Sequence, residues 1–347
     1  MKVKAFNLDR LWSKISQESL SAIDATLSTG NVRNNTELEQ ELKHHTNRKY
    51  VIATSTGTDA LTIILRSLNY PKGTEILVPC YSFIATASAV LWAGYKPVFV
   101  DIDNNYHLDL NKVTITKNTR ALVLVSLFGN PANYPQYQRF CDDNGIDLVE
   151  DAAQSFGSEL FRRSGSVGVA SALSFSPTKP CPVLGSGGAI ATDSEELYEL
   201  CRRIRLHGKT KNSDESHHLG MHSVMGGAES AQLLIALKYK DEWQSRRTEI
   251  AQYYNDNLPM ESPPEQGIHN WHKYVIQADD KLLDKCIQSG VELQKHYKRL
   301  ISDEPLFNDT GFYDNAERLR KCSVSLPICP MMADNEVERV VEVLCES

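Results

Sequence analysis

The sequence contains no Cys-x-x-Cys pair, no run of basic residues and no apolar run of membrane-spanning length. The first absence excludes a zinc ribbon or a dithiol redox motif, and we expect no metal site. The second, with a net charge of −7, argues against sequence-independent binding to nucleic acid or to an anionic membrane. The third leaves no candidate membrane helix.

The eight cysteines are scattered along the chain, and we expect them to be reduced thiols. The N-terminal segment MKVKAFNLDRLWSKI carries charges and lacks the apolar centre of a secretory signal. Both features favour a cytoplasmic protein.

Length and composition predict a globular protein with a large and a small domain. The chain has 347 residues, of which 41% are hydrophobic and 23% are charged. A Pro-rich break at residues 259–267 separates two patterns of secondary structure. We therefore predict a large α/β domain over residues 1–258 and a smaller C-terminal domain over residues 259–347 that covers the active site.

Strand and helix signals alternate through the large domain. This rhythm predicts a three-layer α/β/α fold with a mostly parallel mixed sheet, and a smaller C-terminal α/β domain follows it. Ligands bind such sheets beyond the carboxyl ends of the strands. The predicted strands are 50–54, 75–79, 97–101, 120–126, 147–151, 173–175 and 188–192. The predicted helices include 11–29, 36–45, 60–68, 85–93, 134–144, 194–206 and one long helix over 228–258.

One lysine has unusual surroundings. Lys179 lies in the stretch LSFSPTKP, between two prolines and after an apolar strand. A surface lysine in a Pro-rich loop is one interpretation. The other is a partly buried amine whose pKa is lowered, which is what attack on a carbonyl to form a Schiff base requires.

Other polar residues fall at neighbouring strand ends. Asp151 ends a predicted buried strand, Gln154 follows it, and Ser174 precedes Lys179 by five residues. The turn at residues 55–59 leads from a strand into a helix and can hold a phosphate. Singly, these residues are also consistent with a helix cap, a surface amide and a satisfied strand hydroxyl. Together they match the needs of pyridoxal phosphate: an amine, an acid for the ring nitrogen and a phosphate cup.

The motifs along the chain resemble those of the DegT/DnrJ/StrS family of sugar aminotransferases, which are pyridoxal-phosphate enzymes of fold type I, similar to aspartate aminotransferase. They are STGTDAL (55–61), VPCYSFIATASAV (78–90), KPVFVDID (96–103), VEDAAQSFGSEL (149–160), SFSPTK (174–179), GSGGAIATD (185–193), RIRLHG (203–208) and SLPICPMM (325–332).

The resemblance implies a role for each matching residue. Lys179 would bind the cofactor covalently and move the proton between substrate and cofactor. Asp151 would pair with the ring nitrogen, Gln154 would contact the ring hydroxyl, and Phe83 would stack on the ring. The phosphate would bind Gly57, Thr58, Asp59 and Ser174. We expect Gly185, Gly187 and Gly188 to allow a tight turn beside Lys179.

The sequence departs from the family in the loop before the long helix. The family has G-x-N-x-R-M-D there, and its Asn reaches the phosphate in the partner subunit's site. Here His222 and Val224 occupy the Asn and Arg positions. His222 as a phosphate ligand and His222 as a plain loop residue both stay open. The resemblance also suggests substrate contacts, namely His207, His272, Tyr274, His296 and Tyr297.

The resemblance implies an aminotransferase that forms a homodimer with shared active sites. L-glutamate is the expected donor, pyridoxamine phosphate the intermediate, and a nucleotide-linked keto-sugar the expected acceptor, in the biosynthesis of an amino sugar for a surface polysaccharide or a secondary metabolite. A free sugar, sugar acid, aldehyde or aminocyclitol is an alternative acceptor. A dehydratase of the family would carry His in place of Lys179. A non-catalytic regulatory protein that binds the cofactor is a further alternative.

Overall fold

A sheet of seven strands lies at the centre of the fold. The structure is a computed structural model that describes residues 1–30, 32–33, 35–210 and 213–346, with residues 213 and 214 described in backbone only. The strands of the chain are β1 Tyr50–Thr54, β2 Glu75–Pro79, β3 Lys96–Val100, β4 Thr119–Val125, β5 Asp147–Asp151, β6 Glu159–Leu160, β7 Arg162–Arg163, β8 Ala170–Ser174, β9 Gly188–Thr192, β10 Lys209–Thr210, β11 Ser213–Ser216, β12 Tyr274–Gln277 and β13 Ser323–Leu326.

The central sheet has the strand order β1-β9-β8-β5-β4-β2-β3. Only β9 runs antiparallel to its neighbours within this sheet, so the other six strands point their carboxyl ends to one edge. The mostly parallel mixed sheet predicted from the sequence is confirmed. Strands β6 and β7, β10 and β11, and β12 and β13 form three separate two-stranded sheets.

Helices cover both faces of the sheet. They are α1 Leu8–Leu27, α2 Thr36–Thr46, α3 Gly57–Ser67, α4 Ala85–Trp92, α5 Tyr134–Asn144, α6 Glu195–Arg205, α7 Gly227–Lys238, α8 Lys240–Asn257, α9 Asp280–Gln288, α10 Asp314–Cys322 and α11 Asp334–Cys345. Short 3₁₀ turns lie at Leu110–Lys112 and Leu127–Gly129. In the described ranges, no helix is long and apolar enough to cross a membrane.

Strand β4 shows why the fold has three layers. Its sequence TRALVLV is apolar at nearly every position, as expected for a strand buried on both faces. Val123 and Val125 pack in one hydrophobic cluster with α3 and α4. Leu122 and Leu124 point to the other face and pack in a second cluster with α5. The alternation follows from the two-residue period of a strand.

The C-terminal elements build a core of their own around the β12–β13 pair. This cluster includes Tyr274 and Ile276 of β12 and residues of α9, α11 and β13. Ile250 and Tyr254 of α8 and Val3 near the N-terminus also pack there. The smaller α/β unit is therefore present, and the boundary between residues 258 and 259 stays a prediction.

Candidate active site

A cavity of about 270 Å³ opens at the carboxyl edge of the sheet. Val125, Asp151 and Ser174 line it, and they are the last residues of β4, β5 and β8. A larger groove of about 1120 Å³ runs along α8, but it contains none of the predicted site residues. Most of the predicted cofactor-binding residues therefore line this cavity, as expected at the edge where the carboxyl ends of the strands meet. Its lining includes Gly57, Thr58, Phe83, Thr86, Asp151, Gln154, Ser174 and Lys179.

Lys179 projects into this cavity from the turn after β8. Its backbone N–H donates to the Ser176 carbonyl at 2.9 Å, which closes the turn between the two prolines. The residue is half-buried. Burial lowers the pKa of the Lys179 ammonium to about 8, although the nearby carboxylate of Asp151 acts in the opposite direction. About a tenth of this amine is therefore unprotonated at pH 7, far more than for an ordinary lysine, and the free amine is the form that acts as a nucleophile.

Asp151 is held in one orientation by two donors. The Thr86 hydroxyl donates to Oδ2 at 2.9 Å, and the Ala153 N–H donates to Oδ1 at 3.2 Å. Burial raises the pKa of the Asp151 carboxyl, while these hydrogen bonds and the charge of Lys179 act against burial. A fixed, buried carboxylate is what keeps a heteroaromatic nitrogen protonated. Sequence reasoning did not identify Thr86, whose motif position alone does not show which strand it faces.

The N-terminus of α3 forms an anion cup beside Ser174. Within the described chain, the backbone N–H groups of Gly57 and Thr58 have no acceptor and lie at the positive end of the helix dipole. A Cβ on residue 57 would lie 2.7 Å from the Ser174 Cβ, so only glycine allows this approach. Gly57, Thr58 and Ser174 thus lie together at the cavity, and their role as a phosphate cup stays a prediction.

Asp59 differs from the prediction. Its N–H donates to the Thr56 side chain at 2.9 Å, which caps α3, and its carboxylate accepts from the Ser223 hydroxyl at 2.7 Å. Both groups are already occupied, and Asp59 does not line the cavity. Asp59 therefore ties the cup to the loop at Ser223 and does not itself face the phosphate position.

The glycines after Lys179 also act differently than expected. None of Gly185, Gly187 and Gly188 has a positive φ, so a left-handed turn is not what requires glycine at these positions. A Cβ on Gly188 would lie 2.3 Å from the Thr56 carbonyl carbon. Gly188 is therefore needed because β9 and the start of α3 approach closely, which sets the position of the cup.

Gln154 connects the sheet to the C-terminal unit. Its Oε1 accepts from the Phe128 N–H at 3.1 Å, and its Nε2 donates to the Tyr297 hydroxyl at 3.0 Å. The Tyr297 ring lies 6.2 Å from the ring of Phe83, which is 51% exposed at the mouth of the cavity. The structure thus brings Tyr297 to the cofactor residues, and Phe83 has the free face that stacking requires.

His296 and His272 both lie near enough to Lys179 for its charge to act on them. His296 Nδ1 is 2.9 Å from the Ser325 hydroxyl, and His272 lines a second, small cavity that Lys179 also lines. Burial lowers the pKa of His296 to about 3 and that of His272 well below its usual value, and the charges of Lys273 and Lys179 add to this. Both imidazoles are therefore neutral hydrogen-bonding groups near pH 7.

Tyr274 is not a substrate contact, and that prediction is wrong. Its hydroxyl donates to Asn255 Oδ1 at 2.8 Å, and its ring packs on Tyr254 and Trp271 in the core of the C-terminal unit. The neighbouring residue, Lys273, points to the opposite face of the strand. Sequence reasoning did not identify Lys273, nor did it identify the buried Arg247.

His207 and His222 lie outside the cavity. Their rings are 5.3 Å apart, and both residues are exposed. A single chain therefore does not bring them to Lys179. The prediction that His222 binds the phosphate of a partner subunit stays a prediction.

The residues of the cavity fit pyridoxal phosphate. The cup at α3 offers two unpaired backbone donors to a phosphate, and Gly57 leaves the room that a Cβ would fill. Asp151 is fixed for a ring nitrogen, Gln154 lies beside it, and Lys179 supplies the amine for an aldehyde. In the described part of the chain no cluster of side chains is suited to a metal ion.

Comparisons with known proteins identify the family of the chain. The profile of the DegT/DnrJ/EryC1/StrS aminotransferase family matches residues 13–345. A pleiotropic regulatory protein of Geobacillus stearothermophilus is 31% identical over 89% of this chain and 88% of its own length. UDP-2-acetamido-2-deoxy-3-oxo-D-glucuronate aminotransferase of Pseudomonas aeruginosa is 33% identical over 79% of each chain. The 3-oxo-glucose-6-phosphate:glutamate aminotransferase of Bacillus subtilis is 30% identical over 98% of this chain and 82% of its own.

Solved structures share the fold. DesV of S. venezuelae superposes with a TM-score of 0.95 at 29% identity, covering 99% of this chain and 98% of its own. NtdA of Bacillus subtilis, solved with bound cofactor PMP, gives a TM-score of 0.94 at 29% identity over 99% of this chain and 85% of its own.

Proposed function

Because the chain belongs to the DegT/DnrJ/EryC1/StrS aminotransferase family, we propose that it transfers an amino group from L-glutamate to a nucleotide-linked keto-sugar. The coarser statement is established: the protein is a sugar aminotransferase and pyridoxal phosphate is its cofactor. The predictions of a transaminase and of this cofactor are confirmed. The donor, the acceptor and the assembly are the parts we propose.

The observation that carries the proposal is the placement of Lys179 opposite Asp151 in one cavity. Bound pyridoxal phosphate supplies an aldehyde that takes up the amino group and a protonated ring that withdraws electrons from the reacting carbon. Asp151, fixed by Thr86, keeps the ring nitrogen protonated. Lys179 Nζ removes a proton from the donor carbon and returns a proton during the transfer, because its pKa of about 8 allows both protonation states.

Nucleotide-linked sugars are the first choice of acceptor because relatives in several organisms are named for them. A relative named for 3-oxo-glucose-6-phosphate and glutamate supports the donor and keeps a non-nucleotide acceptor as the second candidate. We propose an amino sugar for a surface polysaccharide or a secondary metabolite as the product.

The presence of Lys179 argues against a dehydratase of the family, which would carry His at this position. One relative is named a pleiotropic regulatory protein, so a regulatory function is a further alternative. A regulatory protein would bind the cofactor without catalysing amino transfer, and a measurement of turnover distinguishes the two.

The test is the absorbance spectrum of the cofactor-loaded protein before and after addition of L-glutamate. We expect the visible band of bound pyridoxal phosphate to be replaced by the near-ultraviolet band of pyridoxamine phosphate. Lys179→Ala should not show this change, whereas Lys281→Ala, a change at an exposed position of α9, should behave as wild type. A wild-type band that persists with glutamate and with other amino donors would favour the regulatory alternative.

We also propose a cytoplasmic homodimer with shared active sites. The exposed His207 and His222 lie close to the exposed apolar residues Leu206 and Leu219, and Phe83 and Ile84 are exposed at the cavity mouth. Contiguous exposed apolar patches mark protein interfaces, and a dimer contact over these residues would bury them. Sedimentation velocity should give the mass of a dimer, and a monomer at micromolar concentration would contradict the proposal. All eight thiols are unpaired, which supports the cytoplasm.

A further inference from the structure

Two cations near Lys179 are buried, and neither has a counter-ion within the described part of the chain. Lys273 is 6% exposed and Arg247 is 4% exposed. Among the residues that the structure describes, neither forms an ion pair with a carboxylate. A buried charge without a partner costs several kcal/mol, so a bound anion would stabilise these two cations.

The position of Lys273 follows from strand geometry. Lys273 immediately precedes β12, and Val275, two residues later, packs into the core that lines the large sheet. Tyr274 and Ile276 point to the opposite side, into the core of the C-terminal unit. Lys273 therefore faces the large domain, where its Nζ lies 4.1 Å from the centroid of the Phe6 ring.

Arg247 and Lys179 meet at one cavity. This second cavity, of about 40 Å³, is lined by Arg247, His272, Lys179 and Phe6 among others. Arg247 Nε donates to the Asn270 carbonyl at 2.8 Å, which anchors the guanidinium. The volume exceeds what one water molecule needs and leaves room for a carboxylate group. Lys179 lines this cavity and the larger one, so a group bound here lies beside Lys179.

The electrostatics around Lys273 and Arg247 favour binding of an anion. Burial, with the charge of Lys179 as a second cause, lowers the pKa of Lys273 to about 7. Burial lowers the pKa of Arg247 to about 10. In the described residues no carboxylate offsets the burial of either group, whereas Asp151 partly offsets the burial of Lys179. A bound anion would supply the missing compensation.

We propose that Lys273 and Arg247, with His272, form a carboxylate-binding subsite behind Lys179 that holds a carboxylate of the amino donor. The assignment rests on the proposed function, because an amino-acid donor carries its carboxylate on the carbon that bears the amine. The anion cup at α3 is separate and serves the phosphate. A neutral sugar ring offers no anion at this place, so the subsite belongs to the first half-reaction.

The test uses Lys273→Met in the cofactor-loaded protein. Met keeps the apolar stem on Phe6 and removes only the charge, so the variant should fold. Calorimetry with glutarate, a dicarboxylate without an amine, should show affinity lower by about tenfold or more, which is the loss of one charge-assisted contact. Lys273→Arg should retain most of the affinity. Lys281→Met, an exposed lysine on α9, should bind glutarate as wild type does.

A second readout compares donors. The rate constant for loss of the cofactor band with L-glutamate, divided by that with isopropylamine, should fall by about tenfold or more in Lys273→Met, because only glutamate carries a carboxylate. Unchanged glutarate affinity and an unchanged ratio would overturn the subsite while leaving the aminotransferase intact. Failure of every donor in wild type would instead concern the proposed function, and glutarate binding would still test the subsite.

A uronic-acid acceptor is the competing source of a carboxylate. D-glucuronate is the probe for it in the same calorimetric experiment, with wild type and Lys273→Met compared. Loss of glutarate affinity with little change in glucuronate affinity supports the donor assignment. Loss of glucuronate affinity alone overturns it.

Discussion

At the scale of single residues, Lys179 is reactive because its environment removes its proton. Burial lowers its pKa from the ordinary 10.5 to about 8. At pH 7 this leaves roughly 300 times more free amine than an ordinary lysine would have. Asp151 limits the effect, since its negative charge favours the ammonium. The carboxylate that the ring nitrogen needs therefore keeps the pKa of Lys179 higher than burial alone would.

This balance predicts the pH dependence of cofactor loading. The rate at which apoprotein binds pyridoxal phosphate covalently should rise about tenfold per pH unit below pH 8 and level off above it, because only the free amine reacts. Stopped-flow absorbance between pH 6 and 10 measures this. Asp151→Asn removes the charge that raises the pKa of Lys179, so its midpoint should move to lower pH. A wild-type midpoint near 10.5 would show that burial does not act on this amine.

The residues of the site could be predicted from the sequence where a motif places them at the end of a strand. One cavity brings together six of them, because each ends or follows a strand of the same sheet: Gly57, Thr58, Asp151, Gln154, Ser174 and Lys179. The prediction of Tyr274 as a substrate contact is wrong, and the sequence did not point to Lys273, for one physical reason. Neighbouring residues on a strand face opposite sides, and nothing in WHKYVI alone shows which side meets the large domain.

At the scale of elements, the contact between α3 and β8 positions the phosphate cup. Gly57 is the first residue of α3, and Ser174 is the last residue of β8. Gly57→Ala would place a Cβ 2.7 Å from the Ser174 Cβ and force the two elements apart. Overpacking of this kind costs about 1–3 kcal/mol. The free donors of the cup would then lose their position relative to Ser174.

We therefore expect Gly57→Ala to weaken pyridoxal phosphate binding by about tenfold or more. Equilibrium titration of apoprotein, followed by absorbance, gives the dissociation constant. Gly185→Ala is the matched control, because a Cβ there would have its nearest neighbour at 3.5 Å, an ordinary contact. Its affinity should stay within about twofold of wild type. Equal losses in the two variants would mean that the close approach at residue 57 does not govern the cup.

Most elements of the large domain could be predicted because their patterns are strong. Strands β1, β2, β5 and β9 and helix α5 have the predicted bounds. The single long helix predicted over 228–258 is instead two helices that meet at Tyr239, where no Gly or Pro signals a break. Helix α10 and strand β13 were not predicted. Strand β13 begins directly after α10, so no Gly or Pro in the sequence marks a boundary between them.

At the scale of the whole molecule, buried cations make the stability of the apoprotein depend on pH. The pKa of Lys273 is about 7 in the folded protein and about 10.5 when unfolded. Between these values the unfolded chain binds more protons, so the free energy of unfolding rises with pH. Lys179 and Arg247 act in the same direction, and His272 and His296 do so below pH 6.5. Lys273 therefore destabilises the fold most at and below pH 7, and this cost disappears as the pH rises.

The comparison of wild type with Lys273→Met isolates this contribution, because all other titrating groups are common to both proteins. The variant apoprotein should be the more stable at pH 7, since it buries no charge at this position. The difference in free energy of unfolding should then shrink by about 1.4 kcal/mol per pH unit between pH 7.5 and 9, as the wild-type lysine loses its proton on folding. Urea titrations at pH 7, 8 and 9, at one protein concentration, measure the difference. A difference that does not change with pH would mean that Lys273 keeps its proton in the folded protein, and Lys281→Met should show no difference from wild type at any of these pH values.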